Sequence, residues 1–116
     1  MKYVLLFVFC LGISACSSQI KTKSITEISQ NDIKTGTLLD VRTPQEFNRG
    51  AVPNAININW MDAGFATQVQ AQVPKDKTVY VYCQAGVRSA KAAQKLKELG
   101  YTDIVELSDG YAAYPK

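Results

Sequence analysis

The segment that most limits the possible folds is Thr78-Val79-Tyr80-Val81-Tyr82, a run made wholly of β-branched and aromatic residues. Such a run has no polar face. As a strand it needs cover on both sides, which is the situation of a strand inside a parallel sheet flanked by helices. The residues that follow agree. After the loop Cys83-Gln84-Ala85-Gly86-Val87-Arg88, positions 89, 92, 93, 96 and 99 carry Ser, Ala, Ala, Leu and Leu. That stripe predicts a helix from about Ser89 to Leu99, packed on a sheet and closed by Gly100. Lys91, Gln94, Lys95, Lys97 and Glu98 fall on its solvent side. Ile104 to Leu107 then reads as one more strand.

The same alternation runs through the rest of the chain. Glu27-Ile28-Ser29 is expected to form a short edge strand, and Ser29 with Asp32 an N-cap that opens a brief helical turn ended by Gly36. Thr37 to Val41 is an apolar strand ending in Asp40-Val41-Arg42. Thr43-Pro44 starts a helix, with threonine as cap and proline at the first helical position, and Gly50 ends it. Val52-Pro53-Asn54 is a turn, Ala55 to Ile58 a strand, and Phe65 to Gln72 a helix stopped by Pro74. Asp109-Gly110 leads into a last helical turn. Strands alternating with helices give an α/β fold with a mainly parallel central sheet flanked by helices. A chain of 116 residues holds one such domain.

The N-terminus has another character. Lys2 is followed by the apolar run Tyr3 to Ile13 and then by Ser14, Ala15 and Cys16. Charge, apolar run and small residues in that order describe a secretory signal peptide over residues 1–15. The run is shorter than the about 20 residues needed to span a bilayer. Residues 16–24 are polar and aperiodic and are expected to be a tether, with the folded domain at 25–116. Ile13-Ser14-Ala15-Cys16 resembles the lipobox of bacterial lipoproteins. The resemblance implies a lipid on Cys16 and a membrane anchor that does not span. Ser17, where aspartate would retain the protein at the inner membrane, implies the outer membrane, facing the periplasm. Ordinary cleavage nearby, giving a soluble periplasmic protein, is the alternative.

Cysteine arithmetic follows from that. Cys10 leaves with the leader, Cys16 carries the lipid, and Cys83 is left alone. A lone thiol in an exported chain is either reactive or buried and inert. The chain has no histidine, which excludes Ser-His-Asp and Cys-His catalysis in their usual forms. One thiol and no imidazole leave no zinc site, and no cofactor is called for. Thirteen basic and ten acidic side chains give a net charge of +3, and nothing in their arrangement suggests a nucleic-acid surface.

The loop after Tyr82 concentrates features that favour an anion. It sits beyond the carboxyl end of a strand, where open parallel sheets bind ligands. Ala85 and Gly86 are small enough for the chain to curl so that successive N–H groups point inward. The helix expected to start at Ser89 adds the positive end of its dipole, and Arg88 adds a full charge. Cys83 is therefore expected to have a lowered pKa and to be nucleophilic, with Gln84, Ala85, Gly86, Val87 and Arg88 forming the substrate cradle. A cysteine that merely ends a buried strand is the commoner case. The glycine, the arginine and the helix start at matching spacing favour the reactive reading.

Leu39-Asp40-Val41-Arg42, Glu46-Phe47, Gly50 and Val52-Pro53-Asn54-Ala55-Ile56-Asn57-Ile58 resemble the first half of a rhodanese domain. Tyr82-Cys83 with Gly86, Arg88, Ser89, Ala92-Ala93 and Leu96 resembles its active-site loop and following helix. Gly100-Tyr101, Val105-Glu106-Leu107 and Asp109-Gly110 resemble its end. The resemblance implies a single-domain, monomeric sulfurtransferase. Cys83 would take sulfur from thiosulfate or another sulfane-sulfur donor as a persulfide and pass it to a thiol or cyanide. Arg88 would hold the anionic donor, Asp40 and Arg42 would brace the loop with Ser89 in support, and Glu46 would be a bracing residue. The chain departs from the family pattern at Ala51, where histidine is frequent, at Asn54 and Asp109, where glycine is usual, and at Tyr114, near a common tryptophan. Two other readings compete. A phosphatase would need C-x5-R, whereas four residues separate Cys83 from Arg88. The other is a non-catalytic binding or sulfur-sensing module of the cell envelope, as rhodanese-like domains that have lost the cysteine are; the presence of Cys83 argues for activity. Tyr80, Tyr82, Tyr101 and Tyr111 are expected to pack rather than bind.

Overall fold

The computed structural model describes residues 19–116; the leader and Cys16 lie outside the described residues. Five strands, β1 (Ile20–Lys23), β2 (Thr37–Asp40), β3 (Ile56–Asn57), β4 (Val79–Tyr82) and β5 (Ile104–Leu107), pair in the order β1-β5-β4-β2-β3. Every pairing is parallel. Four helices, α1 (Gln30–Thr35), α2 (Pro44–Asn48), α3 (Phe65–Gln72) and α4 (Val87–Glu98), connect them, with single 3-10 turns at Ile25–Glu27 and Tyr111–Ala113. Among the described residues no helix is long and apolar enough to cross a membrane.

The central strand β4 is buried along its whole length, as its unbroken apolar composition requires. Its side chains alternate between two cores. Val79, Val81 and Cys83 join Leu39, Val69, Ala92, Ala93 and Leu96 under α3 and α4. Tyr80 and Tyr82 join Ile25, Leu38, Val52 and Leu107 on the opposite face. Tyr80, Tyr82 and Tyr101 are packing residues, Tyr82 and Tyr101 being almost wholly buried, whereas Tyr111 is half-buried. Capping boxes at Ser29 with Asp32 and at Thr43 with Glu46 start α1 and α2, each satisfying two backbone donors that would otherwise be left open.

Two elements differ in place from the sequence expectation. Glu27-Ile28-Ser29 is not a strand. The edge strand is β1, inside residues 16–24 that read as tether, and it pairs with β5 in the register Ile20↔Ile104 to Lys23↔Leu107. Only Ile20 of its four residues packs on the core; the lysines that protect an edge from further pairing also make it look like linker. Helix α4 begins at Val87 rather than Ser89, because Gly86 adopts φ +103° and serves as its N-cap. Asn54, at a position where glycine is usual, has φ +75°. Asparagine tolerates that left-handed geometry better than other side chains.

Candidate active site

Cys83 follows β4 directly, at the carboxyl end of the innermost strand, and its residue is 1% exposed. Among the described residues it is the free cysteine. Two neighbours fix the loop from outside. The N–H of Tyr111 donates to the Cys83 carbonyl at 2.8 Å and that of Ala112 to the Gln84 carbonyl at 3.0 Å. With the carbonyls drawn outward, the N–H groups face in. The Gly86 N–H donates to Cys83 Sγ at 3.0 Å, and Ser89 Oγ lies 3.5 Å from the same sulfur. Burial works against the thiolate. The Ser89 hydroxyl and the N–H groups of Ser89, Gly86 and Ala85 outweigh it, so the Cys83 pKa lies below its ordinary value. Gly86 is required here twice over. Its φ is left-handed, and a Cβ would run into the Ser108 carbonyl.

Asp40 and Arg42 form a buried ion pair beside the cysteine loop. Asp40 is fully buried at the end of β2 and accepts from the Arg42 N–H at 2.9 Å, from Nε at 3.0 Å and from Nη2 at 2.7 Å. Arg42 also donates to the Gly50 carbonyl at 2.8 Å and to Gln84 Oε1 at 3.4 Å. Its guanidinium lies 4.4 Å from the Tyr111 ring centroid, so one side chain ties β2, the Gly50 turn, the cysteine loop and the C-terminal turn together.

Arg88 is not the free charge expected of it. Its Nη1 and Nη2 donate to Glu46 Oε1 and Oε2 at 2.7 and 3.0 Å, which fixes Glu46 as the brace between α2 and α4. Hydrogen bonds from Arg88, reinforced by those of the Thr43 cap against a partial burial penalty, hold the Glu46 carboxyl at about 2. An arginine turned to a carboxylate does not wrap a tetrahedral phosphate, a further mark against the phosphatase reading. Basic side chains instead line a cleft of about 290 Å³ over the loop, where Arg42, Arg49 and Lys116 stand with Glu46, Gln84 and Tyr111. A larger groove of about 520 Å³ at Gln30, Asn31, Ile33, Lys34 and Asn54 lies away from the cysteine.

Glu106 escaped the sequence reading of the site. It is 7% exposed and accepts from Ser89 Oγ at 2.9 Å. A carboxylate in the otherwise apolar Ile104-Val105-Glu106-Leu107 was the available signal. Asp109 is also explained: its carboxylate accepts from Ser24 Oγ at 2.6 Å and from the Ile25 N–H at 2.8 Å, locking the chain just after β1.

Fold and site define a small α/β domain with a cysteine cradled by N–H groups at the end of its central strand. The chain belongs to the rhodanese-like domain family, which it matches over residues 24–116. It is 37% identical over 87 residues to thiosulfate sulfurtransferase 16, chloroplastic, of Arabidopsis thaliana, covering 67% of this chain and 72% of that one. To a sulfurtransferase of Allochromatium vinosum it is 32% identical over 79 residues, covering 68% and 71%. The crystal structure of SSP1007 from Staphylococcus saprophyticus superposes with a TM-score of 0.67 at 26% identity, covering 82% of this chain and 93% of that one. Reduced CoADR-RHD of Bacillus anthracis gives 0.69 at 33% identity, covering 79% of this chain but 16% of that much longer one.

Proposed function

We propose that the chain is a sulfurtransferase that moves sulfane sulfur from an anionic donor such as thiosulfate to a thiophilic acceptor through a Cys83 persulfide. The observation that carries this is the hydrogen bond from the Gly86 N–H to Cys83 Sγ inside a ring of further donors. The thiolate attacks the outer sulfur of thiosulfate; the new S–S bond forms as the old one breaks, and sulfite leaves with the bonding pair. A thiolate or cyanide then attacks the outer sulfur of the persulfide and Cys83 returns as thiolate. The same N–H groups stabilise the anion at each stage, and the cations of the overlying cleft attract the donor. The family and the sulfurtransferases it resembles support this reading over that of a non-catalytic binding or sulfur-sensing module.

The leader and lipobox extend the proposal to an exported protein anchored through Cys16 at the outer membrane, facing the periplasm. Residues 17–19 alone separate Cys16 from β1, which would seat the domain against the membrane surface. Incubation with thiosulfate followed by intact-mass measurement tests the chemistry. A gain of one sulfur atom, reversed by cyanide and missing in Cys83→Ser, is expected. A folded, reduced protein that gains nothing would exclude thiosulfate as donor.

A further inference from the structure

The cleft of about 290 Å³ over the cysteine loop is lined by three basic side chains, Arg42, Arg49 and Lys116, and by one carboxylate, Glu46. What each can offer a ligand follows from its other bonds. Arg42 is 2% exposed and spends its donors on Asp40, the Gly50 carbonyl and Gln84 Oε1. Glu46 has both oxygens on Arg88, so the carboxylate of the cleft is already neutralised. Arg49 and Lys116 are exposed, and among the described residues neither pairs with a carboxylate.

Two neutral groups add to these cations. Gln84 Oε1 faces Arg42 Nη1 at 3.4 Å. A guanidinium only donates, so the amide nitrogen of Gln84 is turned the other way with two N–H groups to give. The Tyr111 hydroxyl stands so close to Gly50 that a Cβ there would meet it at 2.8 Å, and it too can donate. The uncommitted polar groups of the cleft can thus all donate, two of them with a full positive charge. Such a surface suits an anion. Its size suits an organic one, since sites that enclose organic ligands begin at about 300 Å³ and an inorganic ion needs less room. In the proposed cycle the donor departs as sulfite before the acceptor arrives, which leaves the cations open in the second half-reaction.

We propose that Arg49 and Lys116 hold the carboxylates of the sulfur acceptor, a small organic thiol bearing acid groups, while its sulfur reaches past Gln84 to the neighbouring Cys83. The thiolate of this acceptor attacks the outer sulfur of the Cys83 persulfide. A new S–S bond forms to the acceptor, the bond to Sγ breaks with its electron pair staying on Cys83, and the acceptor leaves as a persulfide with its carboxylates unchanged. Arg49 is the specificity-determining residue, because its planar fork matches a carboxylate in two parallel hydrogen bonds, and Lys116 adds a point charge. The assignment rests on Cys83 being the sulfur carrier.

The test loads the full chain with thiosulfate, removes the donor and follows loss of the added sulfur by intact mass, as the difference from Cys83→Ser. Mercaptosuccinate, a thiol with two carboxylates, is compared with 2-mercaptoethanol, which has none. Arg49→Gln should slow discharge by subsaturating mercaptosuccinate about tenfold and discharge by 2-mercaptoethanol far less. Comparing each thiol with itself cancels its intrinsic reactivity. Lys34→Gln, at the groove away from the cysteine, removes the same charge and should leave both rates as they were. Equal losses with the two thiols, no loss with mercaptosuccinate, or a matching loss in Lys34→Gln would overturn the assignment, the last pointing to net charge alone. Binding is read separately, by calorimetric titration of Cys83→Ser with succinate, which has the carboxylates and no thiol. Adding Arg49→Gln should weaken that binding about tenfold; succinate that binds equally well without Arg49, or does not bind, would overturn the site. A chain that binds succinate through Arg49 and takes up no sulfur supports the acid site and overturns transfer from thiosulfate.

Discussion

At the scale of residues, the ion pair of Arg88 with Glu46 joins two helices whose partners stand far apart in sequence. Glu46→Gln isolates that pair, because glutamine can still complete the capping box with Thr43. The Glu46 carboxyl is held at about 2, against an ordinary 4.5. As pH falls, the unfolded chain therefore takes up this proton before the folded one does. The stability that wild type holds over Glu46→Gln should be full above about pH 5, decline as pH falls through 4.5, and be gone once the folded value is passed. Urea midpoints of the two proteins between neutral pH and pH 2 measure this, and a constant difference across the range would exclude the pair as its source. Cys83 was legible in sequence because local chain features mark it, a glycine three residues on and a helix start, whereas the bracing role of Asp40 and Arg42 came only with the resemblance to the rhodanese pattern. The partners of Arg88 and Ser89 were not legible. Each is set by where separate strands and helices come together, and nothing in the neighbouring residues records it.

At the scale of elements, the sequence located most strands and helices because a period of two or of 3.6 fixes which face is buried. Helix α3 and strand β5 fall on the expected residues. The two failures share a cause. Strand β1 is too short and too charged for its period to show, and α4 gains its first residues from a backbone turn that no side chain announces. That turn shapes the cysteine loop. It aims the Gly86 N–H at the sulfur while starting the helix whose dipole faces the same way. Gly86→Ala places a Cβ in a left-handed conformation and against the Ser108 carbonyl, so the turn must open. A loss of about 1–3 kcal/mol in unfolding free energy is expected for strain of this kind. The thiolate midpoint should also rise, since the donor at 3.0 Å is displaced. Denaturant unfolding and thiolate titration together decide it, because a variant with wild-type values in both would mean that the loop tolerates a side chain here.

At the scale of the whole molecule, the two ends of the domain meet beside the site. Asp109 holds Ser24 and Ile25 from one side, and Tyr111 and Ala112 hold the carbonyls of Cys83 and Gln84 from the other. Family similarity begins at residue 24, yet the sheet begins at Ile20. A chain cut to start at 24 keeps every residue of the matched domain but loses β1. It leaves the outer edge of β5 with open N–H and C=O groups, an invitation to pairing between molecules, and it removes Ile20 from the core under α4. Burying one such side chain fully stabilises by about 1.5–3 kcal/mol, and Ile20 is partly exposed, so its share lies toward the lower figure. The cut chain should therefore unfold at lower urea than one starting at 19 and scatter light increasingly with concentration. Its folded fraction should still acquire sulfur from thiosulfate, because the cysteine loop is held by β2, α4 and the C-terminal turn and not by β1. Equal urea midpoints for the two chains would show that the edge strand adds nothing to the fold. Loss of sulfur uptake in soluble, folded protein would show that it reaches the site, and Glu106, opposite Thr22 in the register, is the residue through which it would do so.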